Sequence, residues 1–145
     1  MILDIEKALI DLIKSDVSSF DDGYVYDPNR NIDSLTRPFF IVRVMSVNTR
    51  GLAFIDTGAS AGSDQLKQED YLFWIYVYTR NHVLEMRDLP EEVKVAVYKD
   101  LTVNGSVYRV EDIFLDYVGS TEETNLLDRN LTVLTGVLTH YREVS

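Results

Sequence analysis

The sequence predicts an α+β domain, with a mainly antiparallel sheet of about four to five strands and two helices packed on one face. Two segments carry apolar residues at helical spacing, and the segments around them are apolar or alternating over strand lengths. The strands fall into two groups separated by a helix rather than alternating regularly with helices, which favours antiparallel pairing. The 145 residues have room for a single domain, which we assign to 1–145.

Both predicted helices are amphipathic. The first covers residues 2–13, and its apolar stripe consists of Ile2, Ile5, Leu9, Leu12 and Ile13. The second lies near residues 89–101, where Asp88 can cap the helix and Pro90 suits its first turn. Asn104-Gly105 is predicted to end this helix or to turn the chain. Stripes of this kind are typical of helices laid on a sheet.

Strands are predicted at residues 24–26, 39–47, 71–79, 107–118 and 131–142, with a break near Glu111 in the fourth. The strand at 71–79 has two different faces, because successive side chains point to opposite sides. One face carries Phe73, Ile75 and Val77, and the other carries Trp74, Tyr76 and Tyr78. We expect the first face to lie under the helices and the second to form a half-exposed interface.

A long mobile loop is predicted at about 48–69. The segment contains Gly51, Gly58 and Gly62 among polar residues, with a short apolar run at 52–55. Connections of about 20 residues are unusual in compact domains and are normally functional. We therefore expect this loop to contact a partner.

Composition excludes several classes of function. The chain has 24 acidic and 14 basic residues, a formal net charge of -10, which disfavours a tight grip on nucleic acid or an anionic membrane. It has no cysteine, which excludes disulfides, a thiolate zinc site and a cysteine nucleophile. His82 and His140 lie on different elements and lack close acidic partners at ligand spacing. We expect no metal, no cofactor and no catalytic residue.

One motif points to a different class of protein. The run Asp56-Thr57-Gly58-Ala59 resembles the active-site turn of retropepsin-like aspartic proteases, where two such aspartates share one proton. That family continues with an apolar run, whereas residues 61–65 here are polar, and no bracing apolar-apolar-Gly-Arg element follows. The protease is an alternative, and our expectation is that the protein is not an enzyme.

The order of segments along the chain resembles that of tailed-bacteriophage tail terminators, also called tail-completion or tail-to-head joining proteins. The likeness covers the helix at 2–13, the passage from Val25-Tyr26-Asp27-Pro28 to the Pro-started strand at 38–42, the aromatic strand at 73–78, the helix at 89–101 and the strand at 131–141. It extends over nearly the whole chain.

This resemblance implies a structural virion protein, made in the cytoplasm of the host bacterium. Such proteins form a ring of six copies that caps the tail tube, ends its polymerisation and joins it to the head or neck. The implied partners are other copies of the chain, the tail tube protein and a head–tail connector, while DNA only passes through the channel and no membrane is involved. Another phage neck or baseplate protein is the remaining alternative.

Apolar and aromatic residues in the loop and on the aromatic strand are the candidates for partner contacts. They are Arg50, Leu52, Phe54, Ile55, Trp74, Tyr76 and Tyr78.

Overall fold

The computed structural model describes residues 2–54, 65–80, 82–118 and 131–144. Two helices, α1 (Ile2–Asp16) and α2 (Val83–Val97), accompany six strands. The strands are β1 (Gly23–Val25), β2 (Phe39–Phe54), β3 (Gln65–Tyr78), β4 (Leu101–Val103), β5 (Ser106–Val118) and β6 (Leu131–Val144).

All six strands belong to one sheet, in the order β1-β2-β3-β6-β5-β4. β1 runs parallel to β2, and the other neighbouring strands are antiparallel. The predicted α+β class is confirmed, but the sheet has six strands rather than four to five. The difference is β4, a three-residue strand at one edge, whose first residue, Leu101, had been assigned to the end of the predicted second helix.

Both helices pack on one face of the sheet, which we call the inner face. Ile5, Leu9 and Ile13 of α1 have no exposed surface and lie in one core cluster with Phe73 and Ile75 of β3. Each such fully buried side chain contributes about 1.5–3 kcal/mol to folding, so this layer dominates stability. The predicted orientation of the aliphatic face of β3 is confirmed.

Helix α2 begins earlier than its sequence suggests. The Nδ1 atom of His82 accepts a hydrogen bond from the N–H of Glu85 at 3.4 Å, and Arg80 pairs with the Glu85 carboxylate at 2.9 Å. These contacts start the helix one turn before Asp88, and Pro90 lies inside it. The predicted cap at Asp88 is therefore wrong. Pro90 is the eighth of the fifteen residues of α2, an interior position where proline removes one backbone hydrogen bond and its ring crowds the preceding turn.

The predicted loop at 48–69 is wrong for most of its length. β2 continues to Phe54 and β3 begins at Gln65, and these two residues are paired. β3 is also paired with β6 along this stretch, from Gln65 opposite Val144 onward. Strand pairing on both sides of β3 outweighs the weak local strand signal. Residues 55–64 lie outside the described residues.

Two local predictions in the second half of the chain are confirmed. Asn104 and Gly105 have φ angles of 51° and 83°, the left-handed pair that a tight hairpin turn requires, and they connect β4 to β5. The expected break near Glu111 is a register shift in the pairing of β5 with β6, between Val110 and Ile113. Within the described ranges, neither helix is long and apolar enough to cross a membrane.

Candidate functional site

The face of the sheet opposite the helices, the outer face, is the candidate functional site. Residues directly paired across neighbouring strands share a face, so the register places four rows of side chains here. From one end to the other these rows are Phe39, Tyr78 and Leu131; Ile41, Tyr76 and Val133; Arg43, Trp74 and Thr135; and Met45, Leu72 and Val137. Ten of these twelve residues are apolar or aromatic, so this face lacks the polar side chains of a sheet face that is exposed to solvent.

One end of the outer face is covered by β1 and by the chain between β1 and β2. Tyr24, Ile32 and Leu35 pack on a second core cluster that contains Phe39 and Tyr78. The rings of Phe39 and Tyr78 are stacked, with centroids 4.7 Å apart. This end is a small core of its own, closed to a partner.

Arg43 occupies the middle of the outer face and is held between two aromatic rings. Its guanidinium carbon lies 4.6 Å from the centroid of Tyr26 and 5.4 Å from that of Trp74. The Tyr26 ring in turn lies 6.3 Å from the ring of Tyr76. Cation–π contacts of this kind contribute about 0.5–1 kcal/mol at exposed sites and fix the plane of the guanidinium. The site therefore combines aromatic surface with an oriented positive charge.

The other end of the outer face is open. Met45 is 44% exposed and Tyr26 is 40% exposed, while Leu72, Trp74 and Tyr76 are half-buried. We call these residues, together with Arg43, the outer-face patch. In a chain that already buries a complete apolar layer on its inner face, a second contiguous apolar and aromatic surface is typical of a protein–protein contact.

A buried carboxylate lies beside this site, at the edge of β2. Glu6 of α1 is only 7% exposed, and its Oε2 accepts a hydrogen bond from the N–H of Val44 at 3.0 Å. Burial raises the pKa of Glu6, and this effect is opposed by the Val44 hydrogen bond and by the charge of Arg43. The interaction occupies a backbone donor that none of the described strands pairs with.

The helical side of the protein has a polar groove of different character. A cavity of about 780 Å³ lies between the end of α1 and α2, and is lined by Asp16, Asp88, Glu91, Glu92 and Lys99 among others. Asp16 and Lys99 form an ion pair across it.

Both histidines have structural contacts. His82 caps α2, and Nδ1 of His140 lies 2.9 Å from the carbonyl oxygen of Val107. Among the described residues, no group of three or more metal-ligating side chains converges. Asp56, the residue of the protease-like motif, lies outside the described residues.

The residues predicted to contact a partner are separated by the fold. Trp74 and Tyr76 belong to the outer-face patch, whereas Tyr78 is 5% exposed and lies in the covered core, so it is not open to a partner. The other four are in or beside the distal half of β2. Arg50, Leu52 and Phe54 are on the strand, and Ile55 lies outside the described residues.

Sequence reasoning missed Arg43, Met45 and Tyr26. The strand at 39–47 was correctly predicted, and Arg43 was its one charged residue. A charge inside an apolar strand is a signal that one face meets solvent or a partner. Its position opposite Trp74 depends on register, which one sequence does not reveal.

No family model and no curated protein matches this chain. Among solved structures, the chain is similar to the bacteriophage SPP1 gp17 protein, with a TM-score of 0.45 and 13% sequence identity, over 92% of this chain and 89% of that chain. A second solved structure, described without a function, has a TM-score of 0.45 and 15% identity over 96% of this chain and 90% of its own.

Proposed function

We propose that this protein is a structural component of a phage virion, which forms a ring on the end of the tail tube, ends tube polymerisation and joins the tail to the head. The order of helices and strands resembles that of tail terminators, and the ring, most simply a hexamer, is taken from that resemblance. The protein is not an enzyme in this proposal.

The outer-face patch carries the proposal. A terminator must cover the tube end with a surface that no soluble monomer needs, and the patch offers aromatic rings, an oriented guanidinium and the exposed thioether of Met45. Aromatic residues, methionine and arginine are enriched in the centres of such interfaces. We assign the patch to the contact with the tail tube protein.

The charge of the chain agrees with this role. A formal net charge of -10 repels DNA, so a ring of such subunits would let the genome slide through without binding it. An assembly protein that held DNA by phosphate contacts would need clustered cations instead.

A charge inserted into the patch tests the proposal. Met45→Arg places a second positive group beside Arg43, whereas Val95→Arg places the same group on α2, where Val95 is 68% exposed. Both variants keep a folded subunit because both positions face solvent. We expect phage carrying Met45→Arg to make tails of uncontrolled length without the protein at their tips, and Val95→Arg to give normal virions.

The outcomes separate the possible partners. Normal tails and normal infectivity with Met45→Arg would reject the assignment of the patch. Tails of normal length that fail to join heads would show that the patch contacts the connector and not the tube. Light scattering and imaging of tail tips test the ring itself, and a protein that is monomeric at all concentrations and absent from tail tips would refute it.

A further inference from the structure

The edge of β2 is paired over only a short part of its length. β1 covers residues from Phe40 to Val42, the N–H of Tyr26 reaches the Val42 carbonyl at 2.9 Å, and Glu6 takes the N–H of Val44. β2 then continues to Phe54, and no strand among the described residues pairs with residues 46–54 on the side where β1 lies. We call the backbone of residues 46–54 on this side the β2 edge.

The opposite side of the sheet has a matching edge. β4 pairs with β5 only at Ser106–Tyr108, although β5 extends to Val118. Within the described ranges no strand pairs with the remainder on that side. We call the backbone of residues 109–118 the β5 edge. Each edge is about 30 Å long at 3.3 Å per residue.

We propose that the β2 edge of one copy pairs with the β5 edge of the next copy, so that the sheet continues from subunit to subunit. Unpaired strand edges are sites of association with another strand unless they are blocked. The short strands β1 and β4 and the carboxylate of Glu6 occupy part of each edge, and the described residues leave the rest unpaired. Within the β2 edge the pairing with β3 shifts register at Ser46/Asn48 and at Gly51/Ala53, so a partner strand must match these two irregularities. The two open stretches are close in length, so the backbone N–H and C=O groups of one can form hydrogen bonds with those of the other.

The direction of pairing follows from the topology. β2 and β5 are antiparallel to each other, because three antiparallel steps, through β3 and β6, separate them. Rotation about an axis along the strands preserves strand direction, so β5 of the next copy also runs antiparallel to β2. Antiparallel ladders form with well-aligned hydrogen bonds.

The symmetry of the contact determines what it builds. Two different edges on opposite sides of one sheet make a heterologous contact, which generates a closed ring or an open filament. Closure into a ring rests on the proposed function. Pairing at the edges leaves the outer-face patch uncovered and available to a different protein, so Met45→Arg should not prevent self-association.

Cysteine cross-linking tests the pairing directly, because the chain has no native cysteine. If the two edges are centred on each other, Asn48 of one copy lies near Asp116 of the next. We would purify the double variant Asn48→Cys/Asp116→Cys and each single variant, concentrate them, and treat them with a short bismaleimide. The reagent is long enough to join the two cysteines even when the pairing register differs from this one by one or two residues. A third protein, Asn48→Cys/Val95→Cys, is the matched control.

We expect the double variant to give a ladder of cross-linked species that ends at the ring. An equimolar mixture of the two single variants should give dimers only, and each single variant alone should stay monomeric. Dimers from Asn48→Cys alone would show a symmetric contact between two β2 edges and overturn the proposal. A ladder from the control as strong as from the double variant would also overturn it.

A proline at the β2 edge gives a second test. Ser46 lies two residues after Val44, so its N–H points to the same open side. Ser46→Pro removes this donor, whereas Ser46→Ala keeps it, and an edge strand tolerates proline at such a position. We expect circular dichroism to show both variants folded, and sedimentation to show association weakened roughly tenfold by proline and unchanged by alanine. Equal association of the two would contradict the pairing.

These results separate the failure of this inference from failure of the proposed function. Rings seen on tail tips whose edge cysteines do not cross-link would refute the pairing and leave the function intact. A cross-linked ladder from a protein absent from tails would support the pairing and refute the function.

Discussion

The carboxylate of Glu6 and the N–H of Val44 are joined by a 3.0 Å hydrogen bond that attaches α1 to the edge of β2. Glu6 lies on the buried stripe of its helix, between Ile5 and Leu9. A buried carboxylate is costly unless its oxygens are paired. Here it satisfies a backbone donor just where the coverage by β1 ends, so that one side chain both anchors the helix and defines the start of the open edge.

The pH dependence of the free energy of unfolding should reveal the titration of Glu6. Burial raises the pKa of Glu6 above its ordinary value of 4.5 in the folded protein. The protonated Glu6 carboxyl group therefore makes its full contribution to the free energy of unfolding below pH 4.5. This contribution is lost as the pH rises through the higher pKa of Glu6 in the folded protein. We therefore expect wild type to lose stability relative to Glu6→Gln over that rise, because glutamine keeps an acceptor for Val44 without the charge.

Urea unfolding of both proteins at several pH values from 4 upward measures the difference, and other titrating groups cancel in the comparison. A constant difference across the range would show that Glu6 titrates normally. Glu6→Ala should cost about 1–3 kcal/mol at every pH, since it leaves the Val44 donor without a partner.

Gly23 is the position where β1 approaches the core most closely. A Cβ atom there would lie 2.1 Å from the ring of Phe40, which is completely buried and cannot move away. We expect Gly23→Ala to lower the free energy of unfolding by about 1–3 kcal/mol. Adding Phe40→Leu should recover part of this loss, so the double variant should be more stable than the sum of the single changes implies. Strict additivity would show that the two residues do not clash.

Trp74 is the only tryptophan in the chain, and it lies in the outer-face patch. Its emission, excited at wavelengths that the nine tyrosines do not absorb, therefore reports on this surface alone. We expect purified tail tubes to shift Trp74 emission to shorter wavelength and to reduce its quenching by acrylamide, because the half-buried ring becomes covered. Met45→Arg should abolish both changes, and Val95→Arg should retain them. A shift of equal size with Met45→Arg would place the tube contact elsewhere.

Asp56 separates the structural role from the protease alternative. In a retropepsin-like enzyme, Asp56→Asn would remove the shared-proton carboxylate and abolish catalysis. In the proposed structural protein, we expect the change to cost at most about 1 kcal/mol and to leave infectivity nearly unchanged. Infectivity and peptide cleavage, measured side by side, decide the matter. Cleavage by wild type that disappears in the variant would overturn the proposed function.

Short-range patterns predicted the parts of the fold that depend on short-range physics. The stripe of α1 and the aliphatic face of β3 follow from periodicity, and both are confirmed. On the opposite face of β3, Trp74 and Tyr76 are half-buried, whereas Tyr78 is buried in a second core cluster. Asn104-Gly105 was recognised as a turn because its backbone requirement is local. Elements whose residues have a strong local conformational preference can therefore be predicted from one sequence.

The errors concern elements that depend on partners distant in the chain. Residues 48–54 and 65–69 form strands because β6 lies alongside β3, about 70 positions later in the sequence. The patch was only half predicted for the same reason, since Arg43 meets Trp74 and Tyr26 through register and chain path. Periodicity identifies a face of a strand, but it does not identify the neighbours of that face.

The central position of β6 has a consequence for the synthesis of the protein. β6 is the last of the described strands along the chain, yet it lies between β3 and β5 and pairs with both. The sheet therefore lacks its middle until residues 131–144 have left the ribosome. Truncated products lack the middle of the sheet and cannot enter an assembly in place of full subunits. The order of strands thus restricts assembly to chains that contain residues 131–144.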